Sequence, residues 1–343
     1  MQTFSVKTAR QNSELTARKI FDLIKPELAL VEAEYERQAN SNIQVISYLG
    51  DYLRASGGKR IRPALFILAC YTAGGDGARE SAIRMATVME MLHTATLVHD
   101  DIIDNADTRR NHASVNARFG NQTAVLMGDW LYMTAFETSL RERSLEILDI
   151  LTRVTRKMTE GELIQLTVLG KTDLTEEEYF EILKRKTAFL FSACCEIGAI
   201  LGNAPAEHQT AHQSALRDYG MNLGIAFQLA DDLLDFTASE KELGKAAGAD
   251  LLEGKMTLPL IMLLQQQPGM KESLEKVMYE GDYAAVSRGS LLSTMHESGI
   301  FEATLKKAHN YAEEARKNLA GLPKTQYSSM LADIPSYIIE RNK

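Results

Sequence analysis

Apolar residues recur at helical spacing along most of this chain. Within residues 81–104, apolar side chains stand three to five positions apart, and few polar residues separate them. This spacing predicts a helix that is buried on most sides. Four further stretches show the same pattern and are predicted to be helical: residues 123–140, 145–169, 176–202 and 214–236.

Turn-forming residues separate the predicted helices, and strand patterns are almost absent. Gly57-Gly58 and Gly74-Gly75 fall between helical stretches, where glycine favours turns. No tract rich in proline, glycine and serine divides the 343 residues. The sequence therefore predicts an all-α protein, a single large bundle of long antiparallel helices around a central cavity. We expect one domain over residues 1–343, in which residues 1–15 are a candidate flexible tail.

Two acidic motifs interrupt the apolar pattern. Asp100-Asp101-Ile102-Ile103-Asp104 and Asp231-Asp232-Leu233-Leu234-Asp235 each follow an apolar stretch and carry aspartates four residues apart. Residues at that spacing share one face of a helix. One copy alone is explained equally well by a solvated helix end, because aspartate favours the first turn of helices. Two copies in apolar surroundings need partner charges or a metal, and they predict a magnesium–polyphosphate site.

Cationic side chains stand at places that complement such a site. The segment Gly57-Gly58-Lys59-Arg60-Ile61-Arg62-Pro63 joins two glycines to three cations, which suits an anion with several oxygens. Arg109 and Arg110 follow the first acidic motif, and His93 lies two turns before it. Taken alone, the basic segment is explained by a solvated helix start, and His93 equally well by a core histidine.

Charge and cysteine content narrow the class of protein. A net charge of −8 and a pI of about 5.5 argue against a general nucleic-acid-binding protein. The longest apolar stretches, such as residues 64–73, are far shorter than the roughly 18 residues that a membrane span needs. Residues 1–20 lack the pattern of a signal peptide. Three cysteines without a disulfide pattern predict a reduced, cytoplasmic protein.

These motifs together resemble those of the trans-isoprenyl diphosphate synthases, or polyprenyl synthetases. The resemblance runs in order from about residue 43 to residue 341, and it is closer to bacterial medium- and long-chain members than to farnesyl or animal geranylgeranyl enzymes. Beyond the basic segment, His93 and the two acidic motifs, it rests on Arg109-Arg110, Gly128-Asp129, Gly161-Glu162 with Gln165, Lys186-Thr187, Phe227-Gln228, Gly244-Lys245 and residues 250–259. One departure is Asn111-His112-Ala113, where many relatives carry glycine and then proline.

The resemblance implies an isoprenoid synthase fold and a homodimer that joins isopentenyl diphosphate to an allylic diphosphate, farnesyl or geranylgeranyl. It implies magnesium ligands at Asp100, Asp104, Asp231 and Asp235, supported by Asp101 and Asp232. It assigns the allylic diphosphate to Arg109, Lys186 and Lys245, with Thr187 and Gln228 close by. It assigns isopentenyl diphosphate to Lys59, Arg62, His93 and Arg110. The implied catalytic set is Asp100, Asp101, Asp104, Arg109, Lys186, Asp231, Asp232 and Asp235.

Side chains before the first acidic motif predict the length of the product. Short-chain relatives carry bulky aromatic residues four or five positions before the first aspartate, where this chain has Thr96 and Ala95. A tunnel would therefore continue to Leu92 and Met89, the latter about 16 Å along the helix. We expect a hexaprenyl to decaprenyl product, with octaprenyl as the central expectation. Three residues of a following helix are alternative tunnel floors: Leu126, Leu131 and Phe136.

Residues 237–254 form a candidate mobile lid. They follow the second acidic motif, contain glycines and charged residues, and include Lys245, with Lys255 directly after them. Such a segment suits closure over a bound substrate, although an ordinary surface loop has the same composition.

Three other interpretations remain open. A class I terpene cyclase or head-to-head synthase shares the first acidic motif and the bundle, but cyclases usually carry a different second motif. A histidine–aspartate phosphohydrolase is suggested by His99-Asp100, although no partner histidines occur at suitable spacing. A regulatory subunit without activity would not need every acidic and basic position that this chain retains. Dependence on a small partner subunit is a separate open question.

Overall fold

The computed structural model describes residues 18–55, 57–109, 112–238 and 248–340, and helices dominate these ranges. The helices are α1 (Lys25–Ala39), α2 (Gln44–Ala55), α3 (Ile61–Thr72), α4 (Glu80–Ile103), α5 (Val115–Phe119), α6 (Asn121–Ser139), α7 (Leu145–Val168), α8 (Glu176–Leu183), α9 (Phe189–Gly202), α10 (Ala206–Thr237), α11 (Ala249–Leu252), α12 (Leu258–Gln266), α13 (Lys271–Glu280), α14 (Arg288–Glu297), α15 (Ile300–Asn318) and α16 (Gln326–Glu340). The all-α prediction is confirmed. The candidate flexible tail, residues 1–15, lies outside the described residues.

Three of the predicted helices, α4, α6 and α7, occur within two residues of their expected bounds, and two others differ. The stretch predicted at residues 176–202 is α8 and α9 joined by a π-helical turn, Lys184–Ala188. The helix predicted from residue 214 begins at Ala206, immediately after Pro205. Its first two turns are mostly polar and exposed, so an apolar pattern does not reveal them.

The one pair of strands in the described part of the chain is very short. β1 (Thr108–Arg109) and β2 (His112–Ala113) pair antiparallel, with Thr108 opposite Ala113. They lie directly after the first acidic motif and hold the chain in a hairpin there. Arg110 and Asn111, which connect the strands, lie outside the described residues.

The core is built around helices that are buried nearly all round. Residues 64–70 of α3 and most of α4 and α9 are inaccessible to solvent. Close helix contacts depend on small residues, since a Cβ on Gly220 of α10 would lie 2.5 Å from the carbonyl oxygen of Phe191 in α9. Among the described residues, no helix combines the length and apolar character that crossing a bilayer requires.

A proline inside the last helix creates a defect that two other helices repair. Pro335 has no N–H, so the carbonyl of Leu331, four residues earlier, loses its helical partner. The buried hydroxyl of Tyr219 donates to that carbonyl at 2.7 Å, and Arg316 Nε donates to the carbonyl of Ala332 at 3.0 Å. Tyr219 in α10 and Arg316 in α15 therefore fix α16 in place.

We predict that Tyr219→Phe lowers the free energy of unfolding by about 1–3 kcal/mol, because it leaves a buried carbonyl without a donor. Chemical denaturation measures the change. Tyr279→Phe is the matched control, since the Tyr279 side chain is 92% exposed. If the two variants lose the same stability, the Tyr219 hydroxyl does not repair the helix defect.

Candidate active site

A cavity of about 310 Å³ lies between α4, α7, the α8–α9 segment and α10. It brings together side chains that lie far apart in the sequence. The residues predicted for the site that line it are Arg62, His93, Thr96, Asp100, Lys186, Thr187, Gln228, Asp231 and Asp232. Its polar end is thus formed by both acidic motifs together with cations, and the rest is largely apolar.

The three aspartates of the first motif have different surroundings. Asp100 lines the cavity. Asp101 is 3% exposed and accepts a hydrogen bond from Arg109 Nε at 2.6 Å, away from the cavity. Asp104 caps the C-terminus of α4, and its Oδ1 accepts from Lys255 Nζ at 3.0 Å. The motif therefore offers one carboxylate to the cavity and holds two cations with the others.

The second motif has a corresponding division at the end of α10. Asp231 and Asp232 line the cavity. Asp232 is buried, accepts from Gln228 Nε2 at 2.9 Å and accepts a hydrogen bond from the Tyr179 hydroxyl. Gln228 in turn accepts from the Thr187 hydroxyl at 2.8 Å. A chain of hydrogen bonds thus fixes Asp232 to the elements that carry the predicted allylic ligands.

Asp235, the last aspartate of the second motif, holds the chain that returns to the site. It is 2% exposed. Its Oδ2 accepts from the backbone N–H of Asp250 at 3.3 Å, and its carbonyl accepts from the N–H of Gly248 at 2.7 Å. The cavity is thus lined by Asp250 as well, because Asp235 positions the start of α11.

Burial and mutual repulsion shift the pKa of two of these carboxyl groups. Burial raises the pKa of Asp100 to about 7; Lys186 opposes the rise, while Glu162 and Asp104 add to it. Burial and the neighbouring Asp250 raise the pKa of Asp232 to about 7. A cation placed between such carboxylates favours their ionised form, so the acidic end of the cavity is suited to divalent metal ions.

The π-helical turn at Lys184–Ala188 presents Lys186 and Thr187 to the cavity. An inserted residue of this kind is common at functional sites, where it redirects side chains. Helix α7 reaches the turn closely because Gly161 has no side chain: a Cβ there would lie 2.6 Å from the Cβ of Arg185.

Two polar residues of α7 orient Lys186. Its Nζ lies 2.6 Å from Glu162 Oε2 and donates to Gln165 Oε1 at 2.9 Å. Glu162 and Gln165 therefore hold this cation at the cavity wall.

The basic segment divides into residues with different environments. Arg62 lines the cavity with its guanidinium 4.9 Å from the ring centre of Phe191, and Lys59 is exposed. Arg60 instead turns inward and pairs with Glu90 and Glu32. Arg60 is therefore held by carboxylates, and it is not among the residues that the resemblance assigns to isopentenyl diphosphate.

No three histidine, cysteine, aspartate or glutamate side chains converge on one point within the described ranges. Magnesium is often bound by only one or two carboxylates together with substrate phosphates. Asp100 on one wall and Asp231 on another fit that pattern, since both supply oxygen ligands to the same cavity.

Comparison with known proteins establishes the family. The polyprenyl synthetase family model matches residues 43–288. The chain belongs to the polyprenyl synthetase family. It is 36% identical over 330 residues to octaprenyl diphosphate synthase from Escherichia coli, covering 96% of this chain and 100% of that protein. It is 35% identical over 295 residues to geranylgeranyl diphosphate synthase from Methanosarcina mazei, covering 84% and 88% respectively.

A solved structure agrees with this assignment. Polyprenyl synthase from Caulobacter crescentus, complexed with calcium and isoprenyl diphosphate, is 34% identical and superposes with a TM-score of 0.89, covering 95% of this chain and 98% of that one. The family, the isoprenoid synthase fold and the prenyltransferase class predicted from the motifs are confirmed. The terpene cyclase and phosphohydrolase interpretations lose their basis.

For two residues of this polyprenyl synthetase, Tyr179 and Lys255, the sequence pattern does not indicate the role that each has at the site. Tyr179 lies on the apolar face of α8, so it is indistinguishable from a core aromatic residue before its bond to Asp232 is seen. Lys255 lines the cavity, although the sequence suggests only that it adjoins a lid. Burial lowers the pKa of Lys255, but Asp104 and Glu253 outweigh burial and raise it, so Lys255 stays cationic.

Two predicted ligands, Arg110 and Lys245, lie outside the described residues, as do residues 239–247 of the candidate lid. The described end of the lid is anchored, because Gly170 donates its N–H to the carbonyl of Gly254 at 2.9 Å. The mobile lid stays a prediction.

The predicted chain-length residues lie on α4 at increasing depth. Thr96 lines both the main cavity and a second one of about 140 Å³, which is also lined by His99, Tyr132 and Met158. Ala95, Leu92 and Met89 are at most 1% exposed. Leu131 is likewise buried and Phe136 partly so, whereas Leu126 is 68% exposed and lies on the surface of the chain.

Proposed function

We propose that this polyprenyl synthetase condenses isopentenyl diphosphate head to tail with an allylic diphosphate, repeatedly. The product is a trans-polyprenyl diphosphate of hexaprenyl to decaprenyl length, with octaprenyl the central expectation. The observation that carries the proposal is the meeting of both acidic motifs in one cavity with Lys186 and Arg62. The octaprenyl synthase relative supports the product class.

The acidic end of the cavity is the proposed site of the allylic diphosphate. Asp100 and Asp231 would hold magnesium, which supplies positive charge against the leaving diphosphate. Lys186, already oriented by Glu162 and Gln165, donates to the same diphosphate. Such preorganised donors stabilise charge that grows as the allylic C–O bond breaks.

The second substrate is proposed to lie against Arg62, Lys59 and His93. Its double bond attacks the allylic C1, so a carbon–carbon bond forms as diphosphate departs. The resulting cation loses a proton to the diphosphate and becomes a longer allylic diphosphate. Apolar lining residues, including Leu190 and Phe227, keep water from the carbocation.

The test is an assay of purified protein with farnesyl diphosphate, labelled isopentenyl diphosphate and magnesium. We expect a ladder of products that ends at one long chain, loss of activity with chelator and recovery with magnesium. Asp100→Asn and Asp231→Asn should each lower kcat about a hundredfold or more, whereas Asp149→Asn, a 74% exposed carboxylate on α7, should not.

The outcomes separate the alternatives. No incorporation by the folded protein with magnesium would contradict the reaction or indicate a missing partner subunit. A ladder that ends at geranylgeranyl would leave the reaction standing and overturn the product length. Diphosphate release from farnesyl diphosphate alone, together with a cyclic hydrocarbon product, would indicate a cyclase.

Product length is predicted to respond to Ala95. This residue is fully buried next to Thr96, so a phenylalanine there would obstruct a tail that extends along α4. We expect Ala95→Phe to shorten the product by several isoprene units, as resolved by chromatography. Ala117→Phe, at an exposed position on α5, is the control for an added ring. An unchanged product would mean that Ala95 does not line the tunnel.

We also infer that the protein is a homodimer. Helix α6 exposes Val125, Leu126 and Met133, and Leu140 follows directly after its last residue. These side chains are 43%, 68%, 64% and 51% exposed and form an apolar stripe. Contiguous exposed apolar surface is typical of protein interfaces. The stripe lies on the helix that packs against the end of α4, so a partner there would abut the active-site wall.

We predict that Leu126→Glu combined with Met133→Glu yields a monomer, because each protomer would bring two carboxylates into the buried twofold interface. Light scattering after size exclusion measures the mass. Tyr279→Glu, at a 92% exposed site on α13, is the control. A double variant that keeps the wild-type mass would place the interface elsewhere.

A cytoplasmic location is also proposed. Cys70, Cys194 and Cys195 are all buried and free of disulfides, which is usual in a reducing compartment. Recovery of the protein in the membrane or periplasmic fraction of cells would contradict this location.

A further inference from the structure

Arg60 is the middle cation of the basic segment, and it does not face the cavity. It is the N-cap residue of α3, in the left-handed region at φ 52°. Its guanidinium contacts two carboxylates from two other helices. Nε and Nη2 pair with Glu32 of α1, and Nη1 donates to Glu90 of α4 at 2.9 Å.

The Arg60–Glu90 part of this contact is enclosed, whereas the side chain of Glu32 is 39% exposed. The side chain of Arg60 is 15% exposed and that of Glu90 is 5% exposed. The guanidinium carbon of Arg60 lies over the ring of Tyr35, 5.9 Å from the ring centre. Thr94 donates to the carbonyl of Glu90 at 2.8 Å. A single polar network therefore joins α1, the start of α3 and the middle of α4.

Arg60 is poorly suited to bind substrate itself. A guanidinium that already forms a bidentate contact with one carboxylate and donates to a second has its charge compensated. Its neighbours differ, because Lys59 is exposed and Arg62 lines the cavity.

The network adjoins every described residue proposed to bind isopentenyl diphosphate. Lys59 and Arg62 lie one residue before and two residues after Arg60, and His93 lies between Glu90 and Thr94 along α4. The relative position of these ligands thus depends on how the start of α3 is fixed to α4.

We propose that Arg60 and Glu90 are a positioning pair that fixes the basic segment to α4 and so sets the geometry of the isopentenyl diphosphate subsite. This inference rests on the proposed function. Small displacements of binding groups cost large factors in rate. Loss of the pair therefore weakens the binding of isopentenyl diphosphate much more than the binding of the allylic diphosphate.

The test compares KM for the two substrates separately. Glu90→Gln removes the carboxylate charge with little change in shape, and Arg60→Asn removes the guanidinium while keeping a residue that tolerates positive φ. We expect each variant to raise KM for isopentenyl diphosphate about ten- to hundredfold. KM for farnesyl diphosphate should change less than about twofold. The double variant should be no worse than the more affected single variant, since the two residues act as one unit.

The matched control is Glu36→Gln, which removes a nearby ion pair between Glu36 and Arg54 whose side chains are 55% and 39% exposed. It should leave both KM values unchanged. Binding of a non-reactive isopentenyl diphosphate analogue, measured by calorimetry, should weaken in parallel with KM. Thermal unfolding shows whether each variant is folded. If Glu90→Gln does not fold, Arg60→Lys replaces it in the same comparison. That variant loses the bidentate guanidinium contact but keeps the positive charge.

An equal rise in KM for both substrates would show a general structural role and overturn the proposal. Unchanged KM values for both substrates would also overturn it. Arg62→Ala separates this from the proposed function. If Arg62→Ala leaves KM for isopentenyl diphosphate unchanged, the proposed subsite itself is wrong. If Arg62→Ala raises it and Glu90→Gln does not, only the positioning pair is wrong.

Discussion

The placement of carboxylates inside a helical bundle is the constraint on which this structure depends. Buried carboxylates are costly unless cations or donors compensate them. The chain supplies those partners internally: Arg109 for Asp101, and Lys255 for Asp104. Arg109 lies eight residues after Asp101, whereas Lys255 lies 151 residues after Asp104. The charges that serve the cavity therefore also hold α4, the β-hairpin and the segment after α11 together.

Within the same short motif, some charged side chains line the cavity and others form ion pairs within the protein. In the first acidic motif Asp100 faces the cavity while Asp101 holds Arg109. In the basic segment Arg62 faces the cavity while Arg60 is held by Glu90. Adjacent residues of a helix point about 100° apart. One residue of such a motif can therefore line the cavity while a neighbouring residue binds another part of the chain and fixes the helix in place.

The sequence predicts the fold and most of the cavity, because helical periodicity and the charged motifs are local signals. It identifies α4 almost to the residue. It does not predict the π-helical turn, since an inserted residue leaves no mark in an apolar pattern. Nor does it show which way Arg60 points, because the direction of that side chain depends on Glu90, a residue that lies elsewhere in the sequence. Tyr179 is missed for the same reason.

The predicted product is long, and the path predicted for its tail leads from the cavity into the packed core. The predicted tunnel passes Ala95 toward Leu92 and Met89. These three side chains are at most 1% exposed and belong to the buried core. Protein interiors are close-packed, so a growing tail must displace side chains as it advances. Methionine is well suited to this, since its unbranched chain repacks easily, and α4 buries Met85, Met89 and Met91. In the proposed reaction, the floor of the tunnel is thus the first side chain that cannot move aside, rather than the first one that is met.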